Sequence, residues 1–322
     1  MWQKSGYNLK QKLILWFENY LFFPNSFQKI LSYLLLPLSF IYLLVILFKR
    51  LKASKIDFNI PIVSVGNLTI GGSGKTPITI ELAKNFNDVC VILRGYGRES
   101  KGLFVVSLKG EIKVDVKISG DEAMLLASTL KNATIIVSED RVEAIKKAKE
   151  LDCKIVFLDD GFSKYSIKKF DILLKPKDEP TNSFLIPSGA YREPKSFYKK
   201  ANMVLKEEID FKRVVTIKKE NKEVELPKKT ILLTAISKPN RLLEFLPKNI
   251  ETIFFEDHHN FTKDEIDNIL NNYRDFAIVT TPKDFVKLEK FNLKNLYIMD
   301  LSIKISQKVD FRALENYIKS YN

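Results

Sequence analysis

The stretch Val63-Ser64-Val65-Gly66-Asn67-Leu68-Thr69-Ile70-Gly71-Gly72-Ser73-Gly74-Lys75-Thr76-Pro77 decides how the rest of the chain is read. An apolar, β-branched run enters a glycine-rich turn, and Gly74-Lys75-Thr76 then opens a helical pattern. Glycines let backbone N–H groups converge on phosphate oxygens, and a helix N-terminus adds positive potential. A lysine at the position of Lys75 reaches the β/γ oxygens, and a hydroxyl at Thr76 is a ligand for Mg²⁺. The pattern predicts a P-loop in which Thr69, Gly71, Gly72, Ser73, Gly74, Lys75, Thr76 and Pro77 surround nucleotide phosphates. The strict form of the motif has a glycine five residues before Gly74, where Thr69 stands. Gly71 and Gly72 relieve the loop instead. A glycine-rich turn with no ligand is the bland alternative.

A P-loop needs a second acid for its metal ion. Ile155-Val156-Phe157-Leu158-Asp159-Asp160-Gly161 is an apolar strand ending in carboxylates, which makes Asp159 and Asp160 candidate Mg²⁺ contacts. Around these two motifs, short β-branched runs alternate with helical patterns. Strands are expected at 60–65, 89–93, 103–107, 134–137, 155–158, 171–174 and 203–205, and helices at 77–85, 122–130 and 142–151. That alternation predicts an α/β fold, a parallel sheet of P-loop NTPase type with helices on both faces. A charged stretch with two short strand patterns, 206–229, reads as a linker. A second, smaller α/β layer follows over 230–322, with a helix expected at 240–246 among others. The domain boundaries expected are 1–55, 56–205, 206–229 and 230–322.

Other polar clusters admit two readings each. Ser119-Gly120-Asp121-Glu122 is either a capping box or a base and a metal contact, Asp121 and Glu122, at an active site. Arg141 in Ser138-Glu139-Asp140-Arg141 is a surface ion pair or a phosphate ligand. Arg94 and Tyr96, in Arg94-Gly95-Tyr96-Gly97-Arg98, follow a strand at the end where open α/β sheets bind ligands, or form an ordinary basic loop. Pro187 to Pro194 carries Arg192 and Glu193 and either positions substrate or joins domains. The chain has two histidines, adjacent in Asp257-His258-His259-Asn260-Phe261. His258 is a candidate for acid–base work, and a structural role is the alternative.

The segment Ile30–Phe48 is uncharged and 19 residues long, so one straight helix would span about 28 Å, close to a bilayer core. Pro37 falls within the run and predicts a kink, which makes a shallow, bent insertion an alternative to a straight span. Lys49, Arg50, Lys52 and Lys55 follow at once and would hold that end at the cytoplasmic face. An N-terminal membrane-associated helix over 1–55 is therefore expected, ahead of a buried core helix or a processed signal. Across the 322 residues, 52 Lys+Arg against 39 Asp+Glu leave a net charge of +13, which asks for an anionic partner. Two cysteines, Cys90 and Cys153, support neither a disulfide framework nor a zinc site by themselves and fit a reducing compartment.

Taken together the motifs resemble the lipid A 4′-kinase family, the tetraacyldisaccharide 4′-kinases. The matching pieces run in order: 65–77, LRGYGR (93–98), GDEAMLLA (120–127), SEDR (138–141), LDDGF (158–162), IPSGAYREP (186–194), EDHHNF (256–261) and TPKDFVKL (281–288). Thr69 in the Walker position is itself the family form. The resemblance implies transfer of the ATP γ-phosphate to the 4′-hydroxyl of a tetraacylated glucosamine disaccharide 1-phosphate, with ATP and Mg²⁺ as cofactors. It implies Lys75 and Thr76 on the phosphates and metal, Asp121 as general base oriented by His258, and Glu122, Asp159 and Asp160 in the metal and nucleotide shell. Arg94, Tyr96, Arg141, Arg192 and Glu193 would serve phosphate or substrate. It also implies catalytic domains on the cytoplasmic side of the inner membrane, against an anionic membrane surface. Three departures are visible: Ser163-Lys164 stand where the family usually has Gln-His, 233–239 lacks a common glycine, and Thr281-Pro282-Lys283-Asp284 replaces Thr-Glu-Lys-Asp. None touches Lys75, Thr76, Asp121, Asp159 or His258.

Two other classes explain less. A membrane-anchored P-loop GTPase should carry Asn-Lys-x-Asp, and a transport ATPase its own signature loop; neither is found. A nucleic-acid-binding module would account for the charge, but no RNP, zinc or helix-turn-helix pattern supports it, so no nucleic acid partner is expected.

Overall fold

Strands and helices alternate through the body of the chain, as the sequence pattern requires, in a computed structural model that describes residues 9–71, 74–220, 222–236, 239–256 and 259–321. Three helices come first: α1 (Leu9–Phe22), α2 (Ser26–Leu34) and α3 (Leu36–Leu51). Then come β1 (Ile62–Asn67), α4 (Lys75–Ala83), β2 (Val89–Leu93), β3 (Phe104–Leu108), β4 (Glu111–Ile112), α5 (Val116–Ser119), α6 (Asp121–Thr129), β5 (Thr134–Val137), α7 (Arg141–Glu150) and β6 (Ile155–Asp159). Next are β7 (Phe170–Lys175), β8 (Met203–Lys206), β9 (Phe211–Lys219), β10 (Lys222–Glu223), β11 (Thr230–Thr234) and β12 (Glu251–Phe254). The chain closes with α8 (Lys263–Asn272), β13 (Ala277–Thr280), α9 (Pro282–Leu288), β14 (Leu296–Ile305) and α10 (Arg312–Lys319).

The chain forms two compact units, one of Met1–Lys75, Asp160–Phe211 and Gln307–Asn322, the other of Thr76–Asp159 and Lys212–Ser306. In the first, β1, β7 and β8 run parallel in that order, with Val63 opposite Phe170 and Ile172 opposite Met203. Every residue of β1 is buried, which is why its sequence is apolar without alternation. The last helix, α10, returns to this unit, where the Tyr317 hydroxyl donates to the Ile62 carbonyl and accepts from the Ile62 N–H, both at 3.2 Å.

The second unit holds two groups of strands. One runs β4-β3-β5-β2-β6, with β5, β2 and β6 parallel and fully buried. β3 is antiparallel to β5 and pairs with β4 through Lys109-Gly110, both with positive φ (48° and 89°), the backbone a tight hairpin needs. The other is a six-stranded sheet in the order β10-β9-β14-β13-β11-β12. Its central strands are parallel, and its core joins Ile231, Leu233, Phe261, Ile266, Ile278 and Leu288. The two strand patterns expected between residues 214 and 226 are β9 and β10, at one edge of this sheet. The helix expected at 240–246 is a 3₁₀ turn, Pro239–Phe245.

The N-terminal apolar run is two helices rather than one. They break at Leu35, bent by 55°, and Pro37 sits in the first turn of α3, where its missing N–H costs nothing. No single helix among the described residues is long and apolar enough to cross a membrane, but this bent pair passes by length and composition. The buried residues of α2 and α3 are Gln28, Ser32, Ser39 and Ile46, while Phe27, Ile30, Leu34, Phe40, Ile41 and Phe48 are exposed.

Candidate active site

In the first unit, β1 ends at Asn67, and the chain turns through buried Leu68 and Thr69 toward Gly71 (φ 89°) and Gly74 (φ 78°). The positive φ at Gly74 is a conformation that a side chain would strain, so glycine stands just before Lys75. A second segment braces the turn: Thr69 bridges to Tyr191, and the Ile70 N–H donates to the Ala190 carbonyl at 2.9 Å. That segment delivers Arg192, whose guanidinium grips both oxygens of Asp160, at 2.9 and 2.8 Å, and donates to Asn67 Oδ1 at 2.6 Å. Lys75 Nζ donates to the same Asn67 oxygen at 3.2 Å and lies 3.8 Å from Asp160. Two cations thus converge on the amide oxygen of Asn67, and both lie beside the Asp160 carboxylate.

Glu193, next to Arg192, is buried and accepts a 2.5 Å hydrogen bond from the Tyr165 hydroxyl. Burial raises the Glu193 carboxyl above the usual range, and burial together with the Glu193 hydrogen bond raises the Tyr165 phenol. The Arg50 guanidinium, from the last turn of α3, lies over the rings of Phe197, Tyr165 and Phe162, 4.6, 5.1 and 5.9 Å from their centroids. Tyr42 of α3 donates to the Arg192 carbonyl at 3.1 Å.

In the second unit, Thr76, in the first turn of α4, donates to Asp159 Oδ2 at 3.0 Å. Pro77 is partly buried in the same turn. Arg141 is buried and donates to the Ser138 carbonyl at 2.5 Å and the Asp159 carbonyl at 3.4 Å. Its guanidinium therefore holds the ends of two strands, a role neither sequence reading foresaw. Arg94 and Tyr96 are exposed after β2, the guanidinium 5.2 Å from the ring centroid.

Asp121 is the first residue of α6, after Gly120 (φ 80°), and is buried. Its Oδ2 lies 2.8 Å from Lys287 Nζ and 4.0 Å from Lys283 Nζ, both on α9. Lys287 also donates to the His259 carbonyl at 3.1 Å. Asp284, fully buried, fixes the start of α9 by accepting from Thr234 and Thr281 hydroxyls at 2.6 and 2.8 Å and from the Ala235 N–H at 3.1 Å. His259 Nε2 is 3.0 Å from Glu265 Oε2 and stacks on Phe255. Glu122 is partly buried in the first turn of α6. Gly72, Ser73, Asp257 and His258 lie outside the described residues.

Sequence reasoning missed Asn67, Tyr165, Lys283 and Lys287. Asn67 stood inside the quoted loop and the lysines inside TPKDFVKL, but only tertiary contacts give them work. Among the described residues no three His, Cys, Asp or Glu side chains gather as a metal site. Mg²⁺ is commonly held by one or two carboxylates together with substrate phosphates rather than by an all-protein cage. The Thr76 hydroxyl and Asp159 carboxylate, already 3.0 Å apart, are hard oxygen donors of that kind and fit it.

Three comparisons bear on this arrangement. The family model described as LpxK, tetraacyldisaccharide-1-P 4′-kinase, matches residues 31–319. A tetraacyldisaccharide 4′-kinase of Aliarcobacter butzleri is 71% identical over 313 residues, covering 97% of this chain and 100% of that protein. One from Campylobacter jejuni subsp. doylei is 44% identical over 97% of this chain and 98% of its own length, and one from Helicobacter pylori is 44% identical over 94% and 95%. Among solved structures, LpxK from Aquifex aeolicus in complex with ATP superposes with a TM-score of 0.74 at 28% identity, covering 90% of this chain and 99% of that one.

Proposed function

Because the chain belongs to the tetraacyldisaccharide-1-P 4′-kinase family, we infer that it transfers the γ-phosphate of ATP to the 4′-hydroxyl of a tetraacylated glucosamine disaccharide 1-phosphate, a step of lipid A biosynthesis. The observation that carries this reading is the glycine loop ending in Lys75 and Thr76, with Lys75 held by Asn67 and Thr76 joined to Asp159. Phosphoryl transfer asks a protein mainly for positioning and charge neutralisation. Lys75 supplies charge to the β/γ oxygens, and Arg192, fixed through Asp160 and Asn67, supplies a second cation. Thr76, Asp159, Asp160 and Glu122 would supply oxygen donors for Mg²⁺, which when bound would neutralise phosphate charge. Asp121 takes the proton of the 4′-hydroxyl as its oxygen forms the bond to the γ-phosphorus. The bond from that phosphorus to the bridging oxygen breaks, and ADP leaves. The family resemblance would give His258 the orienting of Asp121, and Arg94, Tyr96, Arg141 and Glu193 the shaping of the substrate and phosphate surroundings.

The same reading places the enzyme at the cytoplasmic face of the inner membrane. Support comes from the outward side of α2 and α3: Gln28, Ser32, Ser39 and Ile46 face inward while Phe27, Leu34 and Leu51 are 72%, 71% and 86% exposed. Apolar surface on that scale marks a contact with lipid or protein, and the exposed lysines at 49, 52 and 55 favour anionic lipid.

The test is an ATP assay with tetraacyldisaccharide 1-phosphate in detergent, reading label at the 4′ position. Transfer is expected, and Lys75→Ala should all but abolish it. A folded protein that transfers nothing, or a Lys75→Ala variant with full activity, would overturn the reading.

A further inference from the structure

We propose that Lys287 is a positioning residue for phosphoryl transfer: a buried cation that fixes the Asp121 carboxylate and ties it to the backbone carbonyl of His259. The proposal rests on the reading of Asp121 as the group that accepts the hydroxyl proton. Lysine is almost never fully buried unless paired, yet Lys287 is 3% exposed and its partner Asp121 6%. The ammonium has three donors in all. One meets Asp121 Oδ2 at 2.8 Å and another the His259 carbonyl at 3.1 Å.

The helix that presents Lys287 is itself locked. Thr281 caps α9, and Asp284, one turn before Lys287, is held by Thr234, Thr281 and the Ala235 N–H. A catalytic constellation works only when its supporting groups hold it to a fraction of an ångström, and groups on a rigid helix do this best. Fold stability does not demand such a pair, because a buried ion pair is often replaced by apolar residues without loss. α9 already packs through Leu288, in the core of the six-stranded sheet. Both lysines address one oxygen of Asp121, and Lys283 is the outer of the two, at 4.0 Å.

The experiment is a kinetic double-mutant cycle in the full chain, with Lys287→Met and Asp121→Asn, read by single-turnover transfer and by ATP affinity. Lys287→Met should lower kcat by at least about 10-fold, with the KM for ATP within about 2-fold of wild type. On the Asp121→Asn background the same substitution should cost less than about 2-fold, because a residue acting through Asp121 has nothing left to position. Lys287→Arg should recover part of the loss. If Lys287→Met melts the protein, Lys287→Gln, which keeps two N–H donors and drops the charge, takes its place in the cycle. Losses that multiply independently in the double variant, or a normal kcat in Lys287→Gln with a normal melting temperature, overturn the proposal alone. Wild-type turnover in Asp121→Asn overturns the base reading, and the proposal with it.

Discussion

At the scale of single residues, Asn67 joins Lys75 to Arg192, a link that the motif letters leave unassigned. Asn67 offers one amide oxygen to both Lys75 and Arg192, and its amide donates to the Thr69 carbonyl at 2.8 Å. Arg192 meets Asp160 with two parallel bonds, a geometry that the planar guanidinium supplies and an ammonium does not. Arg192→Lys keeps the charge but gives up the fork. It should lower kcat/KM by about 10-fold or more, mostly through kcat, while the melting temperature moves little. Steady-state kinetics with a thermal melt on the same sample checks this, and unchanged kcat/KM would remove Arg192 from phosphate positioning. The two arginines also mark where sequence reading stopped. Arg141 and Arg192 look alike in sequence, each beside acidic residues at the edge of an element. Only the folded chain turns one toward strand-end carbonyls and the other toward Asp160 and Asn67, because those partners lie 18, 32 and 125 positions away. The P-loop and the Asp159-Asp160 strand end were legible because their chemistry is local, a glycine turn, a helix start and a strand's last residue. Lys287 was not, because its partner Asp121 lies on another helix.

At the scale of elements, α6 shows how backbone and chemistry share a position. Ser119 does not cap α6 in the way a capping box over Ser119-Gly120-Asp121-Glu122 requires: Asp115 caps α5, and Gly120 stands between the two helices with φ 80° and ψ 159°. That backbone region is open essentially to glycine alone. A Cβ on Gly120 would also lie 3.0 Å from the Tyr96 carbonyl oxygen. Gly120→Ala should therefore destabilise the fold by about 1–3 kcal/mol. It should lower kcat as well, since Asp121 is the next residue. A melt shows the first effect, roughly 2–4 °C per kcal/mol for a chain of this kind, and turnover below that melt shows the second. An unchanged melting temperature would mean that the helix start relaxes without strain. Strands were the most legible elements: the continuous apolar runs of β1, β2, β5 and β6 are buried throughout, which is why the runs do not alternate. The N-terminal helices were less so. Composition announced an apolar run and Pro37 a kink, but the break falls at Leu35, because proline is tolerated in the first turn of the helix it begins.

At the scale of the whole molecule, α2 and α3 carry a broad exposed apolar side, the surface that the proposed bilayer contact would use. Their inward side joins an apolar anchor, Ile46 with Leu43 and Leu47 against Leu68, Phe162 and Leu185, to specific polar contacts: Ser39 donates to the Leu185 carbonyl at 2.8 Å, Tyr42 to the Arg192 carbonyl, and Gln28 to the Trp16 carbonyl at 3.2 Å. Their outward side carries the aromatic and branched side chains that water-soluble proteins bury. Bilayer binding built this way has two separable parts. The apolar part follows buried area and ignores salt. The electrostatic part, from Lys49, Lys52 and Lys55, is about 1 kcal/mol per lysine near an anionic surface and is screened by salt. Replacing all three lysines by glutamine should weaken binding to phosphatidylglycerol-containing vesicles by up to roughly 100-fold at low salt and by far less at high salt. Replacing Phe27, Leu34, Phe40 and Ile41 by serine should weaken it at every salt concentration, on neutral and anionic vesicles alike. Vesicle co-sedimentation across a salt series reads both. If neither set of substitutions changes the bound fraction, the exposed face serves a protein partner and not the bilayer; if only the lysine set does, the helices lie above the acyl chains and the +13 charge alone holds the enzyme to its membrane.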